Sequence, residues 1–255
     1  MKYTLKKSLG QHFLKDENIC TRIVDAVLSE EPDCLLEIGP GAGAITKYFL
    51  EQTTQFQFIA FDVDQEKIEY LRHHYSAHQN VFVLQDILNA NPPFTDSFIV
   101  VGNFPYNIST QILFKMIDWR QKVPVIIGMF QKEVADRVAA KEGSRTYGII
   151  SVLVQAFYEV ELLFHVEPGS FTPPPKVRSS VIRLRRKDEI PSMTSIEDFF
   201  LLVKTAFQQR RKMLRNGLKT LITSAVLEDV FFQKRAEQLA VNEWAALTFK
   251  MTKNL

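Results

Sequence analysis

The run Cys34-Leu35-Leu36-Glu37-Ile38, followed at once by Gly39-Pro40-Gly41-Ala42-Gly43, constrains this chain more than any other stretch. The first five residues, four of them apolar, read as a buried strand, and a helix begins near Ala44. The glycines between permit a tight turn and a close approach of the backbone to a ligand, and the first turn of a helix presents free amides. Strand, glycine loop and helix make a nucleotide-binding unit. Such a unit belongs to a doubly wound α/β sheet, where ligands sit beyond the carboxyl ends of the strands.

The alternation persists along the chain. Apolar, β-branched and aromatic runs at 56–61, 81–84, 97–101, 123–130, 159–166 and 177–184 predict six further strands. Helices are expected from residue 16 onward behind Asp16, at 65–75 behind Asp64, from Ser109 as a cap through Ile117, at 131–140 and at 146–158. Seven strands with interposed helices, the last two forming a hairpin-like edge, give a doubly wound sheet. Residues 187–194 read as a linker, and Thr194-Ser195-Ile196-Glu197 as a capping box that opens an all-helical C-terminal region. The expected division is 1–190, with a basic arm at 1–15, and 191–255.

At 255 residues and 46% hydrophobic, the chain can bury a full core. No run approaches the roughly 18 apolar residues that cross a bilayer, so no membrane is expected. The first residues, Met1-Lys2-Tyr3-Thr4-Leu5-Lys6-Lys7, lack a signal peptide's apolar core, which makes the cytoplasm the expected compartment. Cys20 and Cys34 are too few for a disulfide framework, and no Cys/His group has zinc spacing, so no metal is expected. Residues 1–175 carry 15 Lys+Arg against 21 Asp+Glu, while residues 176–255 carry 16 against 8, so the net charge runs from −6 to +8. Such asymmetry points to a polyanion partner for the last third, with a solvated helical surface as the plainer alternative.

The glycine loop fits two chemistries. Gly39, Gly41 and Ala44 match the dinucleotide fingerprint Gly-x-Gly-x-x-Ala of NAD-linked oxidoreductases. Glu37 before the first glycine, with Pro40 inside the loop, resembles instead the Glu-x-Gly-x-Gly-x-Gly loop of S-adenosylmethionine-dependent methyltransferases. That reading needs two more acids, and both are present. Asp62 ends the second strand about twenty residues past the loop, where a carboxylate accepts ribose hydroxyls. Asp86 follows the third strand, where methyltransferases place an acid against the cofactor adenine. The fourth strand feeds Gly102-Asn103-Phe104-Pro105-Tyr106-Asn107, an amide, a proline-fixed backbone and an aromatic face suited to a flat, amine-bearing ring.

Five motifs, taken together and in order, resemble the small-subunit ribosomal RNA adenine dimethyltransferases over nearly the whole chain. They are residues 7–14 (Lys7 to Leu14, with Gly10-Gln11-His12-Phe13), 37–41, 102–110, the triple-proline run 171–177, and Gln209-Arg210-Arg211-Lys212. The resemblance implies a seven-stranded class I methyltransferase sheet with a small C-terminal all-α domain. It implies a monomer that uses S-adenosyl-L-methionine to dimethylate the N6 amines of two adjacent adenosines in a hairpin loop of small-subunit rRNA, on a nearly assembled subunit. Position by position it assigns His12, Leu14, Gly39, Gly41, Asp62, Asp86 and Asn103 to the cofactor. Asn103, Phe104, Pro105, Tyr106 and Phe171 go to the target base, and Lys6, Lys7, Arg210, Arg211, Lys212, Arg215 and Lys219 to RNA. Asp62, Phe104 and Arg178 stand where the family usually has Glu, Leu and Asp. A non-catalytic RNA-binding assembly factor, an oxidoreductase and the related large-subunit RNA methyltransferases are the rival readings.

Overall fold

The structure, a computed structural model, describes residues 12–252. Phe13–Leu14 form a two-residue strand, β1. Asp16 then accepts the Asn18 and Ile19 amides and starts helix α1, Glu17–Leu28, which buries Ile19, Ile23, Val24 and Val27 on one face. β2 (Cys34–Ile38) is buried at every position, as a strand covered on both sides requires. The glycine loop leads into α2 (Thr46–Leu50) and then β3 (Gln57–Asp62). Asp64 caps α3 (Gln65–His74) by accepting the Glu66 amide. β4 (Phe82–Leu84), β5 (Ile99–Asn103), α4 (Ser109–Asp118), β6 (Val125–Gln131), α5 (Lys132–Val138) and α6 (Ile149–Gln155) follow. β7 (Tyr158–Val166), β8 (Phe171–Thr172) and β9 (Ser179–Arg186) complete the strands, and α7 (Ile196–Gln208), α8 (Leu214–Gly217), α9 (Ser224–Leu227) and α10 (Val241–Leu247) complete the helices.

Seven strands form one sheet in the order β4-β3-β2-β5-β6-β9-β7. β4, β3, β2, β5 and β6 run parallel, and β9 inserts antiparallel to β6 with Gln131 opposite Ser179. The order reverses at β2, so the ends of β2 and β5 open the crevice in which such sheets bind ligands. A second, two-stranded ribbon pairs β1 with β8, with Phe13 opposite Thr172 and Leu14 opposite Phe171.

Three local expectations differ from what forms. Ser109 is the first residue of α4 rather than its cap, because its hydroxyl donates to the Tyr106 carbonyl at 3.2 Å and so serves the preceding loop. The helix expected at 146–158 is confined to Ile149–Gln155, since Tyr158 already belongs to β7. The cap of α7 is Ser195, one residue later than expected, accepting the Asp198 amide at 3.0 Å while Thr194 donates to the Asp198 carboxylate.

The chain divides into two compact units, 1–135 with 160–186, and 136–159 with 187–255. The grouping of residues 136–159 with the C-terminal residues was not expected. In the first unit, Val27, Leu35, Phe49, Ala60, Val101, Ile127 and Val181 are buried in one apolar cluster. In the second, the Phe157 ring meets the edge of Phe199, Phe207 packs on Trp244 at 5.7 Å, and the buried Tyr147 hydroxyl donates to the Leu239 carbonyl at 2.9 Å. Among the described residues no helix is long and apolar enough to cross a membrane.

Candidate active site

The crevice at the β2 and β5 ends is a cavity of about 280 Å³ whose lining includes His12, Leu14, Glu37, Gly39, Gly41, Asp62, Asp86 and residues 103–108. Each wall follows from a local cause. Gly41 sits at φ +58°, which strains an L side chain, and a Cβ there would lie 3.0 Å from the Phe13 ring, so glycine suits the point where Phe13 lies over the loop. The Gly39 amide donates to the Phe61 carbonyl at 2.8 Å, tying the loop to the end of β3. There Asp62 accepts the Asp64 amide at 2.9 Å. Burial pushes its carboxyl above the ordinary range, opposed by the amides of Asp64, Gly41 and Val63. Asp86 accepts the Leu88 amide at 2.9 Å through one oxygen and the Asn89 side-chain amide at 2.7 Å through the other, which fixes its plane.

The loop pattern gives Glu37 no ligand-facing task, yet it is the most perturbed acid in the cavity. It is fully buried, one oxygen accepts the Thr46 hydroxyl at 2.8 Å, and the other has no protein partner. Burial raises its carboxyl to about 8, with the Thr46 bond opposing and the Asp62 charge adding. An orphaned buried oxygen in a ligand cavity calls for a partner.

At the β5 end, the Asn103 side-chain nitrogen donates to the His12 carbonyl at 3.0 Å. That bond sets the amide's orientation and leaves its oxygen as the acceptor. Phe104 contributes only main chain, because its ring is 1% exposed and packs edge-on against Phe130 at 5.1 Å. The ring occupies space left by Gly128, where a Cβ would lie 2.5 Å from it. The larger side chain thus fills the core rather than the cavity. Tyr106 is stacked with His12 (centroids 5.5 Å, planes 28° apart), and its hydroxyl lies 2.5 Å from that of Ser179. His12 in turn donates from Nδ1 to the Pro173 carbonyl at 2.9 Å.

Phe171 is not brought to this cavity. Its side chain is 1% exposed and joins the core cluster beneath the β1–β8 ribbon, because pairing with Leu14 turns it inward. The triple-proline loop instead acts on the arm, through that ribbon, the Lys15 amide donating to the Ser170 carbonyl, and the Ser170 hydroxyl donating to Asp16. Arg178, the departure from the family pattern, pairs with Glu167 at 3.0 Å across the base of the same loop. Both partners are exposed, which limits the pair to about 1 kcal/mol or less.

The basic residues separate by environment. Arg211, Lys212, Arg215 and Lys219 are exposed. Arg210 is engaged within its own unit, donating to the Arg145 carbonyl at 2.7 Å and lying 3.7 Å from Glu237. Lys6 and Lys7 lie outside the described residues.

A parallel sheet with one antiparallel strand inserted before the last, a glycine loop after β2, carboxylates after β3 and β4 and an Asn-Phe-Pro-Tyr loop after β5 define a class I methyltransferase. The chain belongs to the ribosomal RNA adenine dimethylase family, whose profile matches residues 2–255. It is 48% identical over 254 residues to the ribosomal RNA small subunit methyltransferase A of Flavobacterium johnsoniae, covering 98% of this chain and 97% of that one. The fold matches a dimethyladenosine transferase from Plasmodium falciparum with a TM-score of 0.74 and 26% identity, over 91% of this chain and 94% of the other. It also matches the 23S rRNA methyltransferase ErmE with a TM-score of 0.70, over 94% and 99% of the chains, a likeness of fold alone at 24% identity. The chain is an rRNA methyltransferase, and the oxidoreductase and non-catalytic readings of the sequence fall away.

Proposed function

We propose that this enzyme transfers methyl groups from S-adenosylmethionine to the N6 amines of two adjacent adenosines in a hairpin loop of small-subunit rRNA, late in subunit assembly in the cytoplasm. The residues present suit that cofactor. Asp62 offers acceptors for ribose hydroxyls, Asp86 offers one for the adenine amine, and at Gly41 a Cβ would press on the Phe13 ring beside the cavity. The orphaned Glu37 oxygen suits a cationic ammonium, which would also favour the ionised carboxylate. When bound, S-adenosylmethionine supplies an electrophilic methyl group on a sulfonium.

The observation that carries the reading is the Asn103 bond to the arm. An adenine amine is a weak nucleophile because its lone pair is delocalised into the ring. With its nitrogen occupied by the His12 carbonyl, Asn103 presents its oxygen to one amine hydrogen. The Phe104 carbonyl, held extended by Pro105, accepts the other. Two acceptors favour a pyramidal nitrogen and aim its lone pair, and alignment of this kind lowers a barrier by up to about 7 to 11 kcal/mol. Tyr106 supplies the face on which the extruded base stacks, and an unpaired loop base is the cheapest to extrude. No strong general base is required, since the positive charge that would reach the nitrogen on methylation makes its N–H acidic, and one proton per transfer passes from it to solvent. Support for the small subunit as partner comes from the relative's name and from the exposed cations of the second unit. Asn103→Ala is expected to keep part of the cofactor affinity and to lose transfer to undermethylated small subunits; near-normal transfer would overturn the assignment.

A further inference from the structure

We infer that Ser179 is a positioning residue for methyl transfer, its buried hydroxyl fixing the direction in which Tyr106 points and so the place at which the target base stacks. The inference rests on the role proposed above for Tyr106. Ser179 opens β9, is fully buried, and is held in register opposite Gln131 of β6. Its hydroxyl therefore has a fixed place, 2.5 Å from the Tyr106 hydroxyl. Tyr106, by contrast, belongs to the irregular loop after β5, where its carbonyl accepts from the Ser109 hydroxyl at 3.2 Å. The Tyr106 hydroxyl lies on the axis about which the ring turns, so its bond to Ser179 fixes where the side chain points, while the His12 ring stacked at 5.5 Å holds its plane.

The neighbouring residue sharpens the assignment. Ser180 is also fully buried, and successive strand residues point to opposite faces of the sheet. Its hydroxyl bonds the His165 Nδ1 at 2.9 Å. Each serine thus has its own partner, and the one at 179 serves the base-facing tyrosine. Because β9 begins where the triple-proline loop ends, the bond also ties the loop that holds the arm to the loop that holds the base. Two successive transfers to one nitrogen demand that the base return to the same attitude, and small misplacements of a reacting group are costly.

The test compares Ser179→Ala, Tyr106→Phe, the double variant and Tyr106→Ala on undermethylated small subunits, with cofactor affinity by calorimetry and thermal midpoints alongside. Ser179→Ala and Tyr106→Phe remove the same bond from either end. Each is expected to lower kcat about 3- to 10-fold, as loss of one hydrogen bond predicts. Cofactor Kd should stay within about twofold, and monomethylated product should build up relative to dimethylated. The double variant should be no slower than either single one. A Ser179→Ala enzyme with wild-type kcat, or losses that multiply in the double variant, would overturn the inference. Tyr106→Phe keeps it falsifiable if Ser179→Ala folds poorly. Near-normal turnover by Tyr106→Ala would instead remove the stacking role itself, and the inference with it.

Discussion

Glu37 leaves most of its hydrogen-bonding capacity unused at full burial, with one oxygen on Thr46 and the other unpaired. Its folded carboxyl titrates near 8, against 4.5 in an exposed chain. The stability associated with its proton is therefore complete below about pH 4.5 and is lost as pH rises through about 8. Glu37→Gln keeps the shape and removes the titration, so in the cofactor-free protein it should flatten the fall of the urea midpoint between pH 5 and 8.5. An unchanged slope would show that Glu37 is already ionised when the cavity is empty. Phe104 teaches a different lesson. A larger residue than the family's usual Leu could narrow the cavity, yet its ring packs on Phe130 in the space that Gly128 leaves.

At the scale of elements, the strands and most helix starts were legible because they are local. β-branched and aromatic runs predicted all seven strands of the sheet, and Asp16 and Asp64 announced their helices one residue ahead. The β1–β8 ribbon was not legible, since four residues separated by more than 150 positions carry no periodicity of their own. Phe171 was misplaced for that reason. Arg210 illustrates the same limit, for nothing in Gln209-Arg210-Arg211-Lys212 tells which arginine bonds to a carbonyl of residue 145. A salt titration of RNA binding separates the two kinds of cation. Arg215→Ala should reduce the slope of log affinity against log salt by about 0.7 to 0.9, the share of one phosphate contact. Arg210→Ala should weaken binding through the 141–146 loop while leaving the slope nearly unchanged. Equal slope changes would return Arg210 to the phosphate-contacting set.

For the molecule as a whole, the sequence was most informative where chemistry demands particular residues at strand ends. Glu37, Asp62, Asp86 and Asn103 lie at or just past the carboxyl ends of β2, β3, β4 and β5, and sheet topology alone gathers them around one cavity. What it left open was which contacts hold those groups still: the His12 carbonyl on Asn103, Thr46 on Glu37, Ser179 on Tyr106. These bonds join common residue types, and no spacing rule marks them. The division into units shows the same limit, because residues 136–159 group with the C-terminal helices through tertiary packing. We propose that this cavity dimethylates two adjacent adenosines of small-subunit rRNA. Mapping dimethyladenosine in the ribosomal RNA of cells with the gene, without it, and with the Asn103→Ala form tests it most directly. A pair of adjacent dimethylated adenosines in a small-subunit hairpin loop should be present in the first strain and vanish in the second and third; an unchanged small-subunit pattern, or a loss confined to the large subunit, would overturn the proposal.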